Sequence, residues 1–192
     1  MVPEPLEKVS LICNADGRRV WETNDKEIVI IEYEDAASAM LSEHLCGVLL
    51  RHGVRSAFRE HYAGGAFAAS ALSLIKLRAA VRVRESDIAV SFVTETGRTI
   101  NRQEAERLKI VPPRKLDGMV DDATHAGRVL RAHLELAGLE LVEAQFRFGL
   151  LPNTALVMES FDPLLCRFWD PKTDAAVTDF RALAERLGGK QA

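Results

Sequence analysis

Two carboxylates stand three positions apart in the run VMESFDPLLCRFWD, residues 157–170: Glu159 and Asp162. A carboxyl group enclosed beside another holds its proton more tightly than in water, which moves it toward the range useful for general acid or base work. Just upstream, LVEAQFRFG (141–149) reads as a strand, and the two-residue alternation of a strand puts Gln145 and Arg147 on one face. Two long polar side chains pointing the same way suit a ligand or a charged partner better than a core. The other reactive side chains carry less. Cys166 precedes Arg167 with no histidine beside it in sequence, and reads as a small apolar residue, not as a nucleophile. The histidines at 44, 52, 61, 125 and 133 are scattered without metal-ligand spacing, so they read as polar-face residues and no metal site is expected.

These residues need a scaffold, and the hydrophobic pattern supplies one. Val20–Trp21 and Ile28 to Tyr33 are apolar runs joined by Thr23, Asn24 and Asp25, turn-forming types, and so predict a β-hairpin. From Ser38 the apolar positions Met40, Leu41, Leu45, Val48 and Leu49 follow a helical period that Gly53 can stop. ASALSLIKLRAAVRVR and SDIAVSFVTETGRTI read as two strands, the second turning at Thr96, Gly97 and Arg98, although the first has helical propensity near its start. Leu116, Met119, Val120, Ala123, Gly127, Leu130, Leu134 and Ala137 keep helical spacing through to Gly138, the clearest element in the chain. Strands near 139–148 and 155–159 follow, and VTDFRALAERLG predicts a closing amphipathic helix. Strands first, then a long helix, then a hairpin and a helix is an α+β order. There is no internal repeat and no linker, so the expectation is one domain over 1–192, with an N-terminal sheet lobe to about 95 and a helix and strand lobe over 96–192.

Composition narrows the class. The 192 residues are 47% hydrophobic and 28% charged, enough apolar mass for a core, and the net charge of -3 argues against a general nucleic-acid or membrane surface. Three well-separated cysteines form neither a disulfide framework nor a zinc motif, and the first residues have no leader pattern. A soluble cytoplasmic protein is therefore expected.

Five stretches, in order, resemble one family. RRVWETND followed by IVIIEYEDAASA is similar to the N-terminal hairpin of SAICAR synthetases, whose pattern is GKxKxVYET then VxEYKDDATA. LRAAVR is similar to their LEVVVR, LKIVPPRKL to their helix-leading segment, LVEAQFRFG to LVDFKLEFG, and PLLCRFWD to SPDTCRLWD. Those enzymes are ATP-dependent ligases of purine biosynthesis that join aspartate to a carboxylated aminoimidazole ribonucleotide. The resemblance implies the α+β fold of that family, an N-terminal antiparallel sheet lobe with helices and a C-terminal α/β lobe, from about Leu11 to the last helix.

The departures from the pattern concern ATP. The resemblance places Asp16 where the family has a phosphate-cradling lysine, Arg78 and Arg147 where it has glutamates, and Gln145 where it has a lysine. Magnesium needs hard oxygen ligands, and an arginine offers only donors and its own positive charge. Glu159 keeps the first acid of the family's DEISPD motif, while Ser160 and Leu164 replace the others, and the loops after DAASAM and AAVR are shortened. ATP and magnesium binding are expected to be lost. Arg82 and Arg167, in contrast, match family arginines that hold the ribose 5-phosphate, a task suited to guanidinium forks.

The resemblance therefore implies an enzyme that binds a phosphoribosyl aminoimidazole or purine-type nucleotide and performs a ring-forming or rearranging step without ATP. Short divergent relatives occur in pentostatin- and coformycin-type nucleoside pathways, where that step would build a 1,3-diazepine ring. Glu159 and Asp162 would move protons, Arg82 and Arg167 would hold phosphate, and a homo-oligomer is compatible with the sequence. Two other readings stand beside it: a decayed, non-catalytic nucleotide-binding protein, and the ATP-dependent ligase itself, which Asp16, Arg78, Gln145 and Arg147 together disfavour. Arg82 and Arg167 have a plainer reading as surface residues with carboxylate partners. Arg78 and Arg147 have one as structural partners of Glu159 and Asp162.

Overall fold

The computed structural model describes residues 5–15, 17–84, 87–152, 155–161 and 163–188. Two of the candidate residues, Asp16 and Asp162, lie outside them. A first antiparallel sheet has the order β1 (Lys8–Ala15), β2 (Arg18–Thr23), β3 (Ile28–Tyr33), β5 (Ala66–Ser70), β4 (Phe58–Ala63). A second has the order β12 (Ala175–Val177), β11 (Arg167–Asp170), β9 (Glu140–Leu150), β6 (Ser73–Arg84), β7 (Asp87–Thr94), β8 (Thr99–Ile100), with β10 (Leu156–Phe161) also paired to β9. Strand β6 lies between β9 and β7, so the two sheets divide between Ser70 and Ser73.

Helix α1 (Ala36–Arg51) starts at Asp35, whose carboxylate accepts the Ala37 and Ser38 amides. It buries Leu41, Leu45, Cys46 and Leu49. Helix α3 (Pro113–Leu136) covers one face of the second sheet with Leu116, Met119, Ala123, Ala126, Gly127, Leu130 and Leu134. Gly127 is small for a steric reason: a Cβ there would meet Val81 Cγ1 of β6 at 2.8 Å. The short α2 (Arg102–Arg107) carries an Asn101/Glu104 capping box, and α4 (Phe180–Gly188) packs on α1.

Strand β10 joins the two halves. It pairs with β9, while Met158 exchanges backbone hydrogen bonds with the segment next to β4, Ala57 N to Met158 O at 2.7 Å and Met158 N to Arg55 O at 3.0 Å. Side chains from the first half then grip its end. Ser42 Oγ donates to the Phe161 carbonyl, Tyr33 OH donates to the same oxygen at 3.2 Å, and the Phe161 amide donates to Cys46 Sγ. Burial pushes the Cys46 thiol up to about 11, so it behaves as a packing residue. Among the described residues no helix is long and apolar enough to cross a membrane.

Where α1 meets α3, His44 Nε2 and His133 Nε2 lie 2.9 Å apart, a hydrogen bond that needs one neutral ring to accept. Burial lowers the pKa of both from the ordinary 6.5; a charged His133 and Arg51 lower His44 further, and Arg51 and His52 do the same to His133. The folded state thus takes up fewer protons than the unfolded state below pH 6.5, and stability rises with pH there. The contribution is complete above about pH 6.5 and is lost as pH falls below it. Urea midpoints at pH 7.5 and 5.5 are expected to show a drop that flattens in His133→Gln. An unchanged slope in that variant would remove this pair as the cause.

Candidate functional site

The alternation of β6 and β9 decides which side chains reach solvent on the second sheet. Leu77, Ala79 and Val81 of β6, and Ala144, Phe146 and Phe148 of β9, turn into the core under α3. Arg78, Arg82, Glu143, Gln145 and Arg147 must then share the opposite face, which α3 leaves open.

Register places them in rows. At one end Arg82 of β6 is opposite Glu143 of β9, and Arg167 of β11 is opposite Glu143 from the other side. Arg82 Nη2 reaches Glu143 Oε2 at 3.4 Å, a loose pair in which Arg82 is exposed and Glu143 partly buried; Arg167 is exposed. The sequence-expected phosphate residues therefore do come together, and with them a carboxylate that partly satisfies Arg82. Two residues along, Gln145 stands opposite Ala80. Its Nε2 is 3.5 Å from Glu143 Oε1, and its Oε1 is buried with no hydrogen-bond partner among the described residues.

At the other end Arg78 is directly opposite Arg147. Glu159 reaches this row from a bulged part of β10. Its Oε2 accepts from Arg18 Nη2 at 2.9 Å and lies 4.0 Å from Arg147 Nη1. Arg18 and Glu159 are 5% and 6% exposed, so this pair is a buried tie between the first sheet and β10. Arg78, Arg147 and Arg18 line an open cavity of about 440 Å³ together with Cys13, Leu74, Lys76 and Glu95.

Arg18 and Glu143 are the site residues that the sequence reading missed. Arg18 sits in the GRRV stretch, at the second lysine of the GKxKxVYET pattern, and Glu143 precedes Gln145 by two residues on the strand already singled out. None of the three cysteines forms a disulfide. Cys13 is exposed, Cys46 buried and Cys166 intermediate.

Two antiparallel sheets, a long helix behind the second and an arginine-rich open face define an α+β protein with a cleft suited to anions. The architecture is that of SAICAR synthetases. The chain matches a structure of SAICAR synthetase (Type-2) in complex with ADP at a TM-score of 0.85 with 18% identity, over 95% of this chain and 99% of that one. It matches SAICAR-synthase from Saccharomyces cerevisiae complexed with SAICAR at 0.73 with 12% identity, over 96% and 87%. By sequence it is 20% identical to the phosphoribosylaminoimidazole-succinocarboxamide synthase of Lachnoclostridium phytofermentans, over 88% of this chain and 87% of that protein. It is 24% identical to the synthase of Prosthecochloris aestuarii, over 86% of each. No protein-family model matches the chain.

That likeness raises the question of magnesium and ATP. Among the described residues no group of three or more His, Cys, Asp or Glu converges, and at the Arg78/Arg147 end Glu159 already accepts from Arg18. A guanidinium offers only donors, so Arg78, Arg147 and Arg18 supply no oxygen ligand for a hard cation there.

Proposed function

We propose that this chain is a divergent member of the SAICAR synthetase family that binds a phosphoribosyl nucleotide on the open face of its second sheet. We infer, further, that it acts on the nucleotide's base in a ring-forming or rearranging step that takes no energy from ATP, within specialised purine-nucleoside chemistry. The observation behind this reading is the set of Arg78, Arg82, Arg147 and Arg167 on one face of the second sheet, with Arg18 reaching the same cleft. Oriented guanidiniums supply the bidentate donors a phosphate requires. Arg82 and Arg167 would hold the 5′-phosphate, with Glu143 swinging aside. Gln145 would offer its unpartnered oxygen to an N–H of the ligand, and Glu159 with Asp162 would move protons at the base.

A second reading, ATP-dependent ligation, is favoured by the whole-length likeness to the synthases. Calorimetry separates the two. A purine nucleoside 5′-monophosphate should bind without magnesium, and Arg82→Ala or Arg167→Ala should weaken it by about 2 kcal/mol, the low end for a charged pair because both side chains are exposed. The free nucleoside should lose almost nothing. Equal losses for both ligands would mean that the arginines only support the fold, and saturable binding of ATP that depends on magnesium would restore the ligase.

A further inference from the structure

We propose that the outer edge of β1 is a self-association surface, on which a second copy of this chain packs about a two-fold axis. The inference begins with the sheet edges. Among the described residues the first sheet ends on β1 and β4, and the second on β12 and β8. An edge strand presents unpaired backbone groups, and proteins blunt such edges with charged side chains or by keeping the strand short. Three of these edges are blunted in that way. β4 carries Arg59, Glu60 and His61 in succession, β12 has three residues and β8 has two. β1, in contrast, runs for eight residues and carries no charge after Lys8, which is already paired with Glu32 at 3.0 Å.

The side chains of that edge are apolar in positions that face water. The β1–β2 register passes from Lys8 to Ser10 and from Leu11 to Cys13, so Val9 and Ile12 have no opposing residue on β2. A bulged residue is released from the ladder, and a polar one would serve there equally well. Yet Val9 is 65% exposed and Ile12 54%, with Leu11 beside them at 47%. Removing the three from water is a gain that the single chain leaves unrealised. A second copy suits the surface better than an unlike partner. The neutral run Val9 to Ala15 opposes no like charges when it meets itself, and an antiparallel two-fold arrangement sets each Lys8 toward the partner's uncharged end, away from the other Lys8. The run offers no charge with which to select a charged partner, and the net charge of -3 disfavours an anionic lipid surface. Three side chains per copy make a smaller patch than an obligate dimer buries, so the association is weak and reversible. Cys13 lies on the same strand and also lines the arginine cleft, which brings the partner copy close to it. The surface does not depend on the proposed nucleotide site.

Sedimentation velocity on the wild-type chain from about 1 μM to about 1 mM tests this, and a reversible monomer–dimer equilibrium within that range is expected for so small an interface. Val9→Lys and Ile12→Lys each set a charge against the partner and are expected to weaken the dimer at least tenfold, with far-UV circular dichroism unchanged because both positions are exposed. Leu136→Lys is the control: Leu136 closes α3, is 88% exposed, and its replacement should leave the dimer intact. Cys13 is the exposed cysteine, so a short bismaleimide should join two copies at concentrations where the dimer forms, and Cys13→Ser should abolish the product. The proposal is overturned by a chain that stays monomeric to about 1 mM, by a dimer that both lysine variants leave at full strength or that Cys13 does not crosslink, or by one that only Leu136→Lys disrupts. It is overturned equally by a wild type that stays monomeric while a chain starting at Pro5 dimerises, since the first four residues would then be what covers β1.

Discussion

Arg18→Ala is expected to destabilise the protein by about 3 to 5 kcal/mol, the range for removing one partner of a buried ion pair. Both side chains are nearly sealed from water, at 6% and 8% exposure, and the bond joins positions 141 residues apart in sequence. Removing the guanidinium leaves the Glu159 carboxylate buried, with Arg147 4.0 Å away as a weaker neighbour. The penalty is mostly that of a stranded charge, not of a lost attraction. Glu159→Gln added to Arg18→Ala should therefore recover part of the loss, since a neutral amide is cheaper to bury. Urea denaturation of the two single variants and the double variant measures this directly. A loss under 1 kcal/mol in Arg18→Ala would show that Arg147 takes over the carboxylate completely.

That pair also shows where sequence reading stops. Helix α3 was legible because its buried positions repeat at helical spacing, and the β2–β3 hairpin because turn residues separate two apolar runs. Strands β4 and β5 were missed. Arg59, Glu60 and His61 break the apolar signal of β4, and β5 is built largely of alanine, a poor strand former that is nonetheless buried between two neighbours. The signal that was available is the Gly64–Gly65 pair, both residues with positive φ, as a tight hairpin turn demands. Strand β1 was hidden differently: its register shifts between Lys8 and Ser10 and between Leu11 and Cys13, so its apolar residues do not alternate cleanly. The short strands β8, β11 and β12 owe their existence to the partners they pair with.

The candidate site divides along the same line. Which residues of β9 share a face follows from period two, so Gln145 and Arg147 were placed correctly, and Glu143 was available by the same rule. Which strand lies beside β9 does not follow from any local pattern. The pairing of Arg82 with Glu143, the opposition of Arg78 to Arg147 and the reach of Arg18 to Glu159 all arise from antiparallel neighbours distant in sequence.

Phe146→Ala is expected to cost about 3 to 5 kcal/mol, as cavity-forming truncations of buried aromatic residues do. Phe146 is fully buried between Gln145 and Arg147, pointing under α3, and its ring lies 6.3 Å from that of Phe161 on β10. The same strand thus carries the core on one side and the arginine face on the other. Whether the two sides are energetically linked is open to measurement. The β6–β9 ladder is made by backbone groups, which the substitution leaves in place, and ligand contacts would lie across the sheet from the new cavity. Effects at separated sites with no shared partner add to within about 0.5 kcal/mol. Denaturation should then show the full loss, while the nucleoside monophosphate affinity of the folded protein should change by no more than about 0.5 kcal/mol. A tenfold drop in affinity at a temperature where the variant is folded would contradict this, and would mean that packing beneath β9 sets the geometry of Gln145 and Arg147 above it.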